Sequence, residues 1–328
     1  MKKILFIGHA YHKKTKSADF VLDLLSDKYE IEKFYIDPYN DDRNNLFVAL
    51  AGNEYDFIVC WQIMFSIQKL KEYVKFKKCI FFPMYDGICA LDNDIWAEYV
   101  QAKIICFCKK LYENLKRRGF DCEYIQYFPE PKKYDTLGDV KSLFFWHRRE
   151  NINLKTVDSL FSDEDLCAVH LHKAMDPNEN FDNFPTNKKI TFSNWFDKKN
   201  ELYSLMQKSA LYMAPRLEEG IGMSFLEAMA LGRCVIAPDN PTMNEYIKNG
   251  KTGILYDPNN LKKLNFPNIR KIQQTTLEYM SEGFKQWNKN KYKLIDWIEE
   301  APHTNKAFKK VKTYYLFGFL PMFSIEEK

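Results

Sequence analysis

Glu219-Gly220-Ile221-Gly222-Met223-Ser224-Phe225-Leu226-Glu227-Ala228-Met229-Ala230-Leu231-Gly232 is the stretch that decides the fold. It reads as a polar loop opening into a helix. Gly220 and Gly222 free the backbone to turn and let a ligand approach it closely. Ser224 is expected to satisfy free amides of the first helical turn. Phe225 to Leu231 are good helix formers with an apolar face, and Gly232 then stops the helix. Cys234-Val235-Ile236-Ala237 follows as a short apolar run, which makes the unit loop, helix, buried strand. A helix N-terminus preceded by glycines is a ready anion site. Glu219 and Glu227 frame it, with seven residues between them. Carboxylates repel a bare phosphate but suit the hydroxyls of a ribose and a hexose at either end of a sugar-nucleotide diphosphate.

Working outward, the segment EGIGMSFLEAMALGRCVIA resembles the donor-site signature of glycosyltransferase family 4, the retaining enzymes of the GT-B fold. Asn244-Glu245-Tyr246-Ile247 and Asn249-Gly250-Lys251-Thr252-Gly253-Ile254-Leu255-Tyr256 continue the likeness, which covers roughly residues 213–258. The resemblance implies two Rossmann-like α/β domains, each with a parallel sheet, facing each other across a cleft. It gives Glu227 the ribose hydroxyls and Glu219 the transferred sugar. Gly220, Gly222, Met223 and Ser224 would meet the rest of the nucleotide. It also implies an arginine that grips the donor diphosphate just after the first strand of the second domain. His147-Arg148-Arg149 stands there, so Arg148 fits the role with Arg149 beside it. The family lysine about five residues further on is absent, because position 153 is Asn; Lys155 is the nearest substitute.

Composition sets wide bounds. A chain of 328 residues favours two domains, and a 46% apolar fraction supplies ample core. The net charge of +4 is too small to imply nucleic acid. Eight cysteines, mostly in apolar strand-like runs and with no CxxC pair, read as reduced, buried thiols of a cytoplasmic protein. Met1 to Gly8 imitates a signal peptide, but its apolar run is short, and it reads as a first strand. No apolar run reaches membrane-spanning length.

Short apolar runs alternate with helical patterns along the whole chain, which argues parallel sheets covered on both faces. Strands are expected near residues 3–8, 31–36, 56–61, 79–82, 103–107 and 123–127, then 143–146, 166–170, 189–192, 210–213 and 234–237. Helices are expected near 17–29, 66–77, 94–101 and 109–118, then 154–161, 198–208, 224–231, 243–249, 272–288 and 292–300. This gives an acceptor-side domain over 1–135, a nucleotide-sugar domain over 136–300 whose last helices cross back, and a tail over 301–328.

Asp92-Asn93-Asp94 spells an Asp-x-Asp, but Asp94 before Ile95-Trp96 reads as a helix cap, so no metal site is expected. Asp86, in Met84-Tyr85-Asp86-Gly87, is either an acceptor-orienting group or base, or a turn aspartate. His9 and His12 belong to a loop or touch the acceptor; His170 and His172 read as structural, since two histidines are too few for zinc. Lys69, Lys71, Lys75, Lys77 and Lys78 form one basic segment, and Lys109, Lys110, Lys116, Arg117 and Arg118 another. Lys306, Lys309, Lys310 and Lys312 precede an aromatic run from Tyr314 to Phe323. That pattern suits either an interfacial anchor on an anionic membrane or a segment packed on its own protein.

The reading is a retaining, metal-independent glycosyltransferase with no cofactor beyond its nucleotide diphosphate sugar donor. Its acceptor is a hydroxyl of a glycan or lipid-linked glycan in bacterial polysaccharide or lipopolysaccharide synthesis. It is placed in the cytoplasm, at the inner face of the membrane where the tail is an anchor. Glu219, Arg148 and Asp86 are the expected catalytic residues. A non-catalytic nucleotide-sugar-binding subunit and a sugar-nucleotide epimerase of the same fold are the alternatives.

Overall fold

Ile4-Leu5-Phe6-Ile7, wholly buried, lies at the heart of the first of two parallel sheets in a computed structural model of the chain. The structure describes residues 1–37, 43–89, 96–132, 135–176, 179, 186–266, 268–302, 310–316 and 320–327. The chain divides into two units, Met1–Ile125 with Asn290–Lys328, and Gln126–Lys289. The sequence reading places these divisions at 135 and 300.

In the first unit the strands are β1 (Lys2–His9), β2 (Tyr29–Ile36), β3 (Glu54–Trp61), β4 (Lys75–Phe82), β5 (Lys103–Cys106) and β6 (Cys122–Tyr124). Their order is β2-β1-β3-β4-β5-β6, and every neighbouring pair is parallel. A strand with helices over both faces has no polar side to show, so β1 reads as a continuous apolar run.

The second unit repeats the plan with β7 (Asp139–His147), β8 (Ala168–Lys173), β9 (Lys189–Ser193), β10 (Ser209–Met213), β11 (Cys234–Pro238) and β12 (Ile254–Tyr256). The order is β12-β11-β10-β7-β8-β9, again all parallel. The chain therefore winds outward twice from the centre, first through β7, β8 and β9, then through β10, β11 and β12. The reversal lies between β7 and β10, where Met213 pairs with Phe145. In open α/β sheets, ligands bind beyond the carboxyl ends of the two strands that flank such a reversal.

The α/β, GT-B layout of two Rossmann-like sheets is as expected, and four local readings change. Residues 75–78 belong to β4 and not to a basic helix, which ends at Tyr73. Lys78 is buried there, and its ammonium donates to the carbonyls of Ile298 (2.6 Å), Glu299 (3.0 Å) and Glu300 (2.7 Å). A cation on the last carbonyls of a helix satisfies groups that have no intrahelical partner and suits the negative end of the dipole. The helix so capped is one continuous element of 31 residues, Ile269–Glu299, where the sequence suggests two. The polar run Asn288-Lys289-Asn290-Lys291 resembles a break, but it contains no Gly or Pro to stop a helix.

The tail forms an antiparallel pair, β13 (Lys310–Leu316) and β14 (Leu320–Glu327), where no strand is expected. The expected tail residues Lys306, Lys309, Phe317 and Phe319 lie outside the described residues, as do Asp92 and Asp94. Finally, Cys89 and Cys167 are exposed, while Cys60, Cys79, Cys106, Cys108, Cys122 and Cys234 are buried as read.

Candidate donor-binding site

The site is built at the carboxyl ends of β7 and β10. After Met213 the chain runs through a loop into the helix Met223–Ala230. Gly222 is the residue that starts this helix, with φ of +78° in the left-handed region. Only glycine adopts that conformation without strain. Gly220 does not share it. A Cβ at Gly222 would also lie 1.8 Å from Cε1 of Phe225.

Ser224 does not cap the helix, contrary to expectation. It is a buried residue of the first turn, and the cap position is held by Gly222, which has no side chain to bond the first amides. The backbone turn at Gly222 sets the helix start two residues too early for Ser224 to serve. Gly232, with φ of +71°, follows the helix end as read.

Thr242 fastens the loop in front of the helix, its hydroxyl donating to the carbonyls of Glu219 (2.7 Å) and Gly220 (3.1 Å). The Glu219 amide donates to the Pro241 carbonyl (3.2 Å), and Glu219 itself is buried. Glu227 lies one turn into the helix and is largely covered; Lys199 donates to its Oε1 at 2.8 Å. Burial, and next the charge of Glu227, push the Tyr203 hydroxyl above its ordinary range. Burial does the same to Tyr212 on β10, with Glu219, Glu227 and Arg148 all near enough to act on it. The charges of both glutamates and of the arginine singled out in the sequence thus act on one buried hydroxyl.

Beyond β7, Arg148 donates through Nε (2.9 Å) and Nη2 (2.6 Å) to Oδ1 of Asp176. Arg149 Nε reaches Oδ2 of the same carboxylate (3.1 Å), and so does Arg216 Nη2 (2.6 Å). Burial raises the Asp176 carboxyl, but the charges of Arg148 and Arg216 outweigh this and hold it below the usual carboxylate range. Arg148 also stacks over the Trp146 ring, 5.2 Å from its centre.

Lys155 is exposed and does not join this cluster. Asn153 caps the helix Leu154–Leu160, accepting from the Thr156 amide at 3.2 Å. Asp176, Arg216, Lys199 and Tyr203 escaped the sequence reading. Only Arg216 carried a usable signal, its place three residues past the β10 strand and three before Glu219.

Asp86 lies in the other unit, half-buried on the four-residue helix Tyr85–Ile88 that follows β4. That unit also holds His12, whose Nε2 meets Oε1 of Gln62 at 2.7 Å, and burial brings its pKa down to about 4. His172, packed flat on Phe196 and bonded through Nδ1 to Ser193 (2.9 Å), is likewise lowered to about 4, chiefly by burial. Among the described residues, no group of three or more His, Cys, Asp or Glu side chains is placed to hold a metal ion. No helix among them is long and apolar enough to cross a membrane.

Residues 179–293 match the family model for glycosyl transferases group 1. No curated protein matches the sequence. Solved structures with the same fold include the lipopolysaccharide outer core galactosyltransferase WaaB, 14% identical with a TM-score of 0.57, covering 89% of this chain and 99% of that one. The sucrose-phosphate synthase of Thermosynechococcus elongatus is 14% identical with a TM-score of 0.65, over 90% and 100%. Anabaena Alr3699/HepE, in complex with UDP and glucose, is 12% identical with a TM-score of 0.61, over 90% and 100%. At such identities the likeness is one of fold, and it agrees with the two six-stranded sheets. Residues 179–293 thus match the glycosyl transferases group 1 model, within a chain whose two sheets have the GT-B fold.

Proposed function

We propose that the protein transfers a sugar from a nucleotide diphosphate sugar to a hydroxyl of a glycan or lipid-linked glycan, with retention of anomeric configuration and without a metal. The observation that carries this reading is the set of guanidinium groups at the ends of β7 and β10, on the same sheet edge as Glu219 and the helix start at Gly222. Cleavage of the donor bond builds positive charge on the sugar and negative charge on the departing diphosphate. Arginines and helix amides that are already in place stabilise that negative charge without a cation. Glu227 accepts from the ribose hydroxyls and Glu219 from the transferred sugar. No carboxylate is assigned as a nucleophile, so the acceptor attacks on the face the diphosphate leaves, and the diphosphate takes the acceptor proton.

Incubation with candidate sugar donors and glycan acceptors tests this directly. Nucleoside diphosphate should appear only when acceptor is present, the product should keep the donor's anomeric configuration, and chelator should leave the rate intact. Release without acceptor, inverted product, or metal-reversible loss of activity overturns the corresponding part. Calorimetric titration of the donor into Glu227→Ala reads the ribose contact, and an unchanged affinity removes that assignment.

The bacterial surface-polysaccharide role and a place at an anionic membrane face belong to the same proposal. They rest on the four tail lysines at 306, 309, 310 and 312 and the aromatic run after them. Each lysine near an anionic surface contributes about 1 kcal/mol, so adsorption should be reversible and sensitive to salt. Removal of residues 301–328 should abolish sedimentation with anionic vesicles at low salt and leave the melting temperature unchanged. A large fall in melting temperature with unchanged sedimentation makes the tail part of the fold.

A further inference from the structure

Arg216 and Arg148 come from different loops, one after β10 and one after β7, yet both end on a single carboxylate. Asp176 takes Arg148 on Oδ1 and Arg216 on Oδ2, each with a contact of 2.6 Å. Their N–H groups therefore already converge at the spacing of two oxygens on one anion. Both side chains are largely buried, at 14% and 15% exposure, so their positions are fixed by packing. The loops they occupy flank the reversal of the second sheet, the place where an α/β sheet receives its ligand.

Charge adds a second argument. Three guanidinium groups, those of Arg148, Arg149 and Arg216, meet at this carboxylate. A planar guanidinium suits phosphate oxygens through paired, charge-assisted hydrogen bonds.

We propose that Arg216 is a second diphosphate-binding residue of the donor site, acting beside Arg148, and that Asp176 is the internal counterion that holds both arginines in place before the donor arrives. This rests on the nucleotide-sugar reading above. The diphosphate replaces part of the contact with Asp176, which keeps the rest and so holds the two guanidinium planes aligned.

The test is calorimetric titration of the wild-type protein, Arg216→Gln and Arg216→Lys with UDP, UMP and uridine. ADP and GDP series replace these where the wild type prefers another base. Arg216→Gln should lose roughly 10- to 150-fold in nucleoside diphosphate affinity, the worth of a charged hydrogen bond, and keep its nucleoside affinity. Arg216→Lys should recover part of the loss, because it retains the charge without the fork; it also serves where the Gln variant disturbs the fold. Equal weakening of diphosphate and nucleoside would assign Arg216 a purely structural role and overturn the inference. So would an unchanged diphosphate affinity in both variants. A wild-type protein that binds none of UDP, ADP and GDP overturns the donor reading itself, and this inference with it.

Discussion

Replacement of Arg148 by alanine should lower kcat by about 10²- to 10³-fold, the typical loss on removal of a preorganised donor from a developing anion. The donor KM should change much less. In the ground state the diphosphate charge is shared over the whole group, and on the proposed reading Arg149, Arg216 and the helix amides still hold it. In the transition state the bond to the sugar is breaking and charge grows on the leaving oxygen. An interaction that strengthens along that path raises kcat, and one that does not affects only binding. Arg148 is suited to this by being fixed. It donates twice to Asp176 Oδ1 and its guanidinium is stacked over Trp146. Arg149 is more exposed, at 39%, and makes one 3.1 Å contact, so Arg149→Ala should cost little. Arg148→Lys should fall between, since it keeps the charge and loses the paired geometry. Steady-state kinetics on the three variants decide the matter. A silent Arg148→Ala beside a damaging Arg149→Ala exchanges the two roles.

What the sequence reveals here follows from how local each feature is. The helix Met223–Ala230 and the strand after it were legible because glycine at either end and an apolar face between them are local signals. Buried parallel strands such as β1 and β3 were legible as unbroken apolar runs. The first residues of β4 were not, because Lys75, Lys77 and Lys78 look like a solvated helix face. Only the fold shows that Lys78 meets the end of a helix more than two hundred residues away.

The site divides in the same way. Glu219, Glu227 and the glycines lie in one continuous stretch and could be read together. Asp176 follows β8 with no pattern around it, and its meaning appears only when β7 and β10 bring Arg148 and Arg216 to it. Ser224 was misread for a physical reason. A serine near a helix start usually caps it, but here a left-handed backbone at Gly222 fixes the start first.

That backbone makes the other large prediction. Gly222→Ala should destabilise the protein and, independently, disable donor binding. Alanine in the left-handed region costs about 1–2 kcal/mol. Its Cβ would lie 1.8 Å from the Phe225 ring, which must then move. The ring has nowhere to go: Phe225 is wholly buried and meets Tyr246 edge-on at 5.8 Å. Tyr246 is in turn buried, pinned by donation of its hydroxyl to the Tyr127 carbonyl (3.1 Å) and packed against Phe128. Overpacking of this kind adds about 1–3 kcal/mol. The strain is relieved most cheaply by displacement of the loop, which Thr242 holds through the Glu219 and Gly220 carbonyls. A shift of about 1 Å in positioning groups can cost 10²-fold in rate. Gly232→Ala is the control. It shares a positive φ of +71°, but it stands past the other end of the helix, and its Cβ would meet the movable Leu277 side chain at 2.9 Å. Denaturant titration should show both variants weakened, with Gly222→Ala the more so, and activity at saturating donor should collapse in Gly222→Ala alone. Equal activities in the two variants would mean that the backbone at Gly222 serves the fold and not the donor.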